Sequence, residues 1–317
     1  MQTRELGRTG MTISLIGFGA WAVGGGGYRF GWGTQSDPDS IAAIRRALEL
    51  GVNWIDTAAI YGLGRSERVV GEALQDMEQR PYVFTKGSRI AGADGTIVGN
   101  LTRDSIRGEL EASLDRLGLD AVDLYQIHQP IPDADIEEGW STLVELRDEG
   151  LVRHIGVSNF NVEQLQRVQS IAPVETLQPP YSLLARGIEA EILPFCEQHR
   201  IGVIAYSPMA SGLLSGAMTR ERIAAFPADD WRSRDERFQE PRLSRSLALA
   251  ERLQQIGTRH GVSAGAVAVA WTLHHPCVDG AIVGFRRLDQ TDAILAAASL
   301  ELDPDEIAEI EAAAATD

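Results

Sequence analysis

Cysteine is scarce: the 317 residues hold only Cys196 and Cys277, far apart and in no CxxC or zinc spacing. Neither a disulfide framework nor a structural zinc site is indicated, and a reducing compartment suits such a chain. Positive charge is also short, with 29 Lys and Arg against 45 Asp and Glu and a formal net charge of −16. A main partner that is nucleic acid or an anionic membrane needs net or clustered positive charge, so neither is expected. No window approaches about 18 uninterrupted apolar residues, and the opening MQTRELGRTG lacks an apolar run of signal-peptide length. The expectation is a soluble, cytoplasmic protein.

What the sequence does have is a rhythm. After a predicted hairpin, TREL and MTISLIG around a GRTG turn, short apolar runs (SLIGFGAWA, NWID, YVFTK, VDLYQIH, HIGVSNF, VETLQ, GVIAYS, GAIVG) alternate with segments of helical period. In SIAAIRRALEL, Ile41, Ile44 and Leu48 form one apolar stripe while Arg45, Arg46 and Glu49 face outward. Strand and helix in repeated alternation imply a parallel sheet with helices outside it. Eight such units in one chain favour an α/β fold of the closed (β/α)₈ TIM-barrel type, typically about 250 residues. The excess goes to the hairpin, a long loop insertion after the seventh strand, Ser211 to Pro241, and a C-terminal helix. No domain boundary is visible, so residues 1–317 are expected to form a single domain. The insertion is polar and irregular, and reads either as a solvated excursion or as a lid over the barrel mouth.

Reacting groups of such barrels lie at the C-terminal strand ends. Those ends are Asp56, Lys86, His128, Asn159, Gln178, Tyr206 and Gly284, with Tyr61 in the loop after Asp56, before a helix SERVVGEAL expected to be capped by Ser66. Taken singly, each has a bland reading: Lys86 could pair with any acid, and a lone histidine is usually a satisfied core residue. Four assemble into a mechanism. A tyrosine, with a pKa near 10, is a poor proton donor or acceptor at neutral pH unless a cation stabilises its phenolate; Lys86 can supply that cation, Asp56 can pair it, and His128 can orient a carbonyl beside Tyr61.

DTAAIYG with FTK, YQIH and GVSNF, in this order, resembles the aldo-keto reductase superfamily over essentially the whole chain. LQPPYSLLARG and the SGLLSGAMT region resemble its bacterial branch of general-stress and inositol-operon reductases. The resemblance implies a catalytic tetrad of Asp56, Tyr61, Lys86 and His128 and an NADP(H) site without a Rossmann fold. Ser158, Asn159 and Gln178 match residues that hold the nicotinamide carboxamide, and Tyr206 matches the aromatic that stacks on its ring. Ser207, Met209, Ser211, Gly212 and Leu213 match the pyrophosphate loop, and the GFRRLDQ segment brings Gly284, Phe285, Arg286 and Gln290 to the adenosine phosphate end. A guanidinium there suits a 2′-phosphate. Where many relatives carry Glu and Asn, this chain has Ala293 and Ile294.

GFGAWAVG lacks the third glycine of a dinucleotide fingerprint and leads into a loop, so a Rossmann site is not expected. That loop, VGGGGYRFGWG, carries Tyr28, Phe30 and Trp32, which with Trp21 can wall an apolar substrate pocket. LHHPC is not expected to bind metal, because adjacent histidines point apart. His154, His199 and His260 show no partner pattern.

The main expectation is reduction of an aldehyde or ketone by NADPH. The alternatives are oxidation of a sugar or polyol by the same residues, a cofactor-sensing regulatory subunit, and a barrel glycosidase, which would need facing carboxylates where His128 and Tyr206 stand. Small-molecule carbonyl or sugar substrates are the expected partners. The helices show no exposed apolar stripe from which to read an oligomeric state.

Overall fold

The computed structural model describes residues 1–92 and 94–315. Near the start, β1 (Thr3–Glu5) and β2 (Thr12–Ser14) pair antiparallel, as the hairpin pattern predicts. The chain then enters β3 (Ile16–Gly19), β4 (Trp54–Asp56) and β5 (Tyr82–Gly87). A second antiparallel hairpin, β6 (Arg89–Ala91) and β7 (Ile97–Gly99), interrupts the strand-helix alternation at this point. The run continues with β8 (Val122–Ile127), β9 (Val152–Ser158), β10 (Thr176–Gln178), β11 (Gly202–Tyr206) and β12 (Gly280–Gly284). Leaving out the two hairpins, eight parallel strands close into a barrel in chain order, β12 pairing back onto β3. The fold is the expected (β/α)₈ barrel.

Register puts the polar strand ends at one level. Asp56 lies opposite Phe84, Lys86 opposite Gln126, Gln178 opposite Ser158 and Tyr206 opposite Ile282. Below them the barrel interior is filled by Trp54, Phe84, Leu124, Ile204 and Ile282, and the first hairpin plugs its lower end with Leu6, Met11 and Ile13. Trp54 fits because Gly17 faces it: a Cβ at Gly17 would sit 2.2 Å from the indole. Its Nε1 donates to the Ser14 carbonyl at 2.8 Å, tying plug to barrel.

The helices form the outer ring. In Asp37–Glu49, capped by the Ser36 side chain, the buried stripe is Ala43, Ile44 and Ala47, with Ile41 and Leu48 at its edge. Helix Ala264–His274 is different, because all of its residues up to Leu273 are buried, wedged among the barrel and neighbouring helices. The helix after Tyr61 spans Arg65–Leu74 and is capped by Gly64 in the left-handed region, not by Ser66. The Ser66 hydroxyl lies inside the helix, donating to the Ala20 carbonyl at 2.8 Å and meeting the Thr57 hydroxyl at 2.9 Å. It fastens β4 to β3.

The insertion after β11 is folded over the barrel mouth. It carries a short helix Arg220–Ala224 and 3-10 turns at Trp231–Arg234 and Glu236–Phe238. Asp230 bridges to Trp32, the Trp231 amide donates to the Gly31 carbonyl, and Trp231 stacks on Trp21 at 5.3 Å between ring centres. The segment is therefore an ordered cover, not a solvated excursion. No helix among the described residues is long and apolar enough to cross a membrane.

Candidate active site

Asp56 and Lys86, 2 % and 1 % exposed, form an ion pair at the floor of the barrel mouth. Lys86 Nζ donates to Asp56 Oδ1 at 2.6 Å and to the Thr57 carbonyl at 3.0 Å, and reaches Tyr61 Oη at 3.5 Å. The other Asp56 oxygen accepts from Gln178 Nε2 at 2.8 Å. Burial moves both members toward neutrality, the carboxyl upward and the ammonium downward, and their mutual attraction only opposes it. The pair is a charge site that the barrel must hold in place.

Tyr61 reaches this pair because of the turn behind it. Gly62, Leu63 and Gly64 all have left-handed backbone, and Gly62 packs so closely on Gly24 that a Cβ would meet its carbonyl oxygen at 2.2 Å. Burial first, and Asp56 second, push the Tyr61 hydroxyl well above 10. The direction is opposite to the expected lowering: burial dominates, and Tyr61 is held as a phenol. A phenol is still a stronger acid than an alcohol, so it can protonate an alkoxide as that charge develops.

The His128 ring stands edge-on to Tyr61, 5.5 Å between centres at 83°. Burial, with Lys86 and Arg89 nearby, holds its imidazole well below the usual 6.5, so it is neutral and can donate one N–H. Its Nδ1 is buried and has no hydrogen-bond partner among the described residues.

From here a cleft of about 600 Å³ runs across the strand ends. Asp56, Tyr61, His128, Ser158, Asn159, Gln178, Tyr206, Ser207, Met209, Ser211, Gly212, Gly284, Arg286 and Gln290 all line it, as do Trp21 and Trp32. Lys86 lies beneath its floor. Leu213 and Phe285 are fully buried instead; the Phe285 ring packs on Phe18, and neither side chain faces the cleft. Asn159, left-handed itself, donates to the His128 carbonyl at 3.0 Å and accepts from Tyr206 Oη at 2.9 Å. The Ser158 hydroxyl donates to the Gln178 carbonyl at 2.7 Å.

At the far end Arg286 Nε donates to Gln35 Oε1 at 2.8 Å, and its own amide donates to Gln290 Oε1 at 2.9 Å. Arg222, Arg232 and Arg287 line the same end, and with burial they hold Arg286 below its usual range. Gln35, Arg222 and Arg232 are absent from the residues singled out by sequence, because they come from distant segments that only the fold brings together, Gln35 lying 251 residues from Arg286. Arg287 directly follows Arg286, the one of the two that the resemblance singles out. Ala293 and Ile294 also line this end.

Trp21 is central to the mouth, packing on Tyr61, Trp32 and Trp231 with ring centres 6.1, 5.1 and 5.3 Å away. Arg232, paired to Asp230, lies over Trp32 at 4.4 Å. Away from the mouth, two histidines without a pattern in sequence do have partners: His154 with Glu175 and His260 with Glu306, at 2.9 and 2.8 Å. Among the described residues no three His, Cys, Asp or Glu side chains are grouped to hold a metal ion.

The Aldo/keto reductase family model matches residues 15–315. Aldo-keto reductase YhdN of Bacillus subtilis is 39% identical over 297 residues, 93% of this chain and 88% of that protein. The NADH-specific methylglyoxal reductase of Escherichia coli is 32% identical, covering 95% of both chains. The solved structure of the glycerol dehydrogenase AKR11B4 from Gluconobacter oxydans superposes with a TM-score of 0.88 at 34% identity, over 98% of this chain and 94% of that one. With the barrel, the polar strand ends and these likenesses in agreement, the chain belongs to the aldo/keto reductase family, oxidoreductases that act on carbonyl and alcohol groups with a nicotinamide cofactor.

Proposed function

We propose that this protein reduces small aldehydes and ketones to alcohols with NADPH, Tyr61 giving the proton. The observation that carries the reading is the buried cluster in which Tyr61 Oη lies 3.5 Å from Lys86 Nζ, Lys86 is pinned by Asp56, and neutral His128 stands beside them. Neutral His128 donates to the carbonyl oxygen and orients it toward Tyr61 Oη. Tyr61 protonates that oxygen as it gains charge, the Lys86 ammonium lies beside the phenolate left behind, and Asp56 holds Lys86 in place. Trp21, Trp32 and Trp231 exclude water above this point.

The donor set fits a nicotinamide dinucleotide. Ser158, Asn159 and Gln178 offer hydroxyl and amide groups for a carboxamide, Tyr206 offers a ring face, and the loop Ser207, Met209, Ser211 and Gly212 borders the middle of the cleft. When bound, the nicotinamide supplies the hydride in reduction and takes it in oxidation. Arg286, with Arg222 beside it, supports NADPH over NADH, because guanidiniums suit an additional phosphate, whereas Arg232 and Arg287 at the same end are already paired with Asp230 and Asp289. A relative named as NADH-specific makes this preference the point to test. Another named as a glycerol dehydrogenase makes alcohol oxidation the second reading, served by the same residues. A cytoplasmic location belongs to the same proposal, supported by two free cysteines that suit a reducing compartment.

The test follows cofactor oxidation by absorbance with an aromatic aldehyde, for wild type and Tyr61→Phe, with NADPH and NADH. Turnover by wild type alone, NADPH preferred, is expected; near wild-type turnover by Tyr61→Phe sinks Tyr61 as the acid. Arg286→Ala is expected to weaken NADPH binding about tenfold more than NADH binding, worth ~1.4 kcal/mol. Equal weakening shows that Arg286 does not read the 2′-phosphate.

A further inference from the structure

Two arginines flanking Phe30 at the substrate end, Arg89 and Arg29, have no carboxylate partner among the described residues. Arg89 opens β6, directly after Ser88, whose left-handed backbone turns the chain over the mouth. Its side chain lines the cleft beside Tyr61, His128 and Phe30. The Arg89 guanidinium lies 5.5 Å from the Phe30 ring centre, and Arg29 lies 5.6 Å from the same ring. Among the described residues no carboxylate pairs with either, although Arg46, Arg107, Arg167 and Arg232 all find one. In a chain of net charge −16, a half-buried cation that lines the cleft without an acid, with the exposed Arg29 across the same Phe30 ring, points to a ligand that brings one.

The position says where on the ligand that charge belongs. Arg89, Tyr61 and His128 line the same cleft, so an anion held by Arg89 shares that cleft with a carbonyl oxygen at Tyr61. The site is built for this: Glu109 Oε1 accepts the Ser88 amide at 3.1 Å and fixes the turn, while Phe30 stacks beneath both guanidiniums.

Resting on the reductase reading above, we infer that the substrate carries an anionic group close to its reacting carbonyl, a carboxylate or a phosphate ester, and that Arg89, assisted by Arg29, binds it. An aldehyde or keto acid fits where the neutral walls of Trp21 and Trp32 alone would favour an apolar carbonyl.

The experiment measures kcat/KM for two matched pairs, succinic semialdehyde against butanal and glyceraldehyde 3-phosphate against glyceraldehyde, in wild type, Arg89→Gln, Arg89→Lys and Arg29→Gln. Wild type is expected to favour at least one anion by about tenfold, and Arg89→Gln to bring that ratio near one. Arg89→Lys should recover part of it, and Arg29→Gln should lower it less. The ratio cancels any general loss in a variant, and the pair that shows it separates carboxylate from phosphate. Reduction of butanal without an anion preference, or a ratio unchanged in Arg89→Gln, overturns the proposal and leaves the reductase reading intact. Should no substrate turn over, calorimetry with succinate and with inorganic phosphate decides: binding by wild type, weakened about tenfold in Arg89→Gln, supports the anion site, and equal or absent binding refutes it.

Discussion

Asp56 and Lys86 allow a prediction in which two single substitutions in one ion pair have opposite pH signatures. Asp56→Asn keeps the shape but leaves Lys86 as a buried cation, and one amide cannot accept from both Lys86 and Gln178. Breaking a buried pair this way costs about 3–5 kcal/mol. At an unfolding entropy near 2.1 cal/mol/K per residue, 317 residues give about 0.67 kcal/mol/K, so the melting temperature should fall by about 4–8 °C. In this variant the folded pKa of Lys86 lies further below the unfolded value of about 10.4. The unfolded state then holds more protons, so stability rises with pH toward that value. Lys86→Met does the reverse: it leaves Asp56 buried without a cation and raises its folded pKa further above about 3.9. The folded state now holds the extra proton, and stability falls as pH climbs through the window between those two values. The double variant buries no charge, should lose less than the sum of the singles, and should lack both slopes. Thermal and urea unfolding from pH 5 to 9.5 read all three. Additive losses, or slopes of the same sign in the two singles, would refute a pair whose burial outweighs its attraction.

Trp231→Ala removes the ring that anchors the insertion on Trp21. A truncation of about 3 kcal/mol applied locally should speed amide exchange in residues 226–238 by about a hundredfold and raise KM, and unchanged exchange would mean that other contacts hold the cover. Glu109 is pushed up to about 7 by burial, above its usual 4.5. Such an acid contributes stability that is present below its unfolded pKa and is lost as pH rises to its folded one. Wild type should therefore lose up to about 3 kcal/mol between pH 4.5 and 7, and Glu109→Gln should lose less; equal curves in urea unfolding would remove Glu109 from the account.

What sequence shows of this molecule follows from which physical forces are local. The barrel strands are legible because strands buried on both faces read as short apolar runs, and a polar residue closing such a run, as Asp56, Gln178 and Tyr206 do, stands out. The hairpin of β6 and β7 is not legible: its three-residue strands are only partly buried and show no alternation. Helix Ala264–His274 is hidden for the opposite reason, since burial on all sides removes the stripe that marks an amphipathic helix. Ser66 looks like a cap and is a strand fastener, because Gly64 starts the helix earlier. The direction of the Tyr61 shift was beyond reach as well. Sequence names the charges nearby, but the shift is set chiefly by how much water the fold excludes.

The same distinction divides the site's labour. Asp56 joins Lys86 to Gln178; the Gln178 carbonyl accepts from the Ser158 hydroxyl and the Asn159 amide; Asn159 continues to the His128 carbonyl and Tyr206. One hydrogen-bonded chain thus runs through the ends of β4, β5, β8, β9, β10 and β11, so the proposed proton donor and the carboxamide site are held in common by strands that cannot move independently. Trp32, Trp231 and Arg89 belong to none of it: they come from the loop after β3, the insertion and the β6 hairpin, Trp32 meeting the Trp231 ring and the Arg232 guanidinium, and Arg89 lying over Phe30 of the same loop as Trp32. Changes in the strand-end chain should therefore disturb turnover for every substrate, whereas changes in the covering segments should alter which carbonyl is accepted.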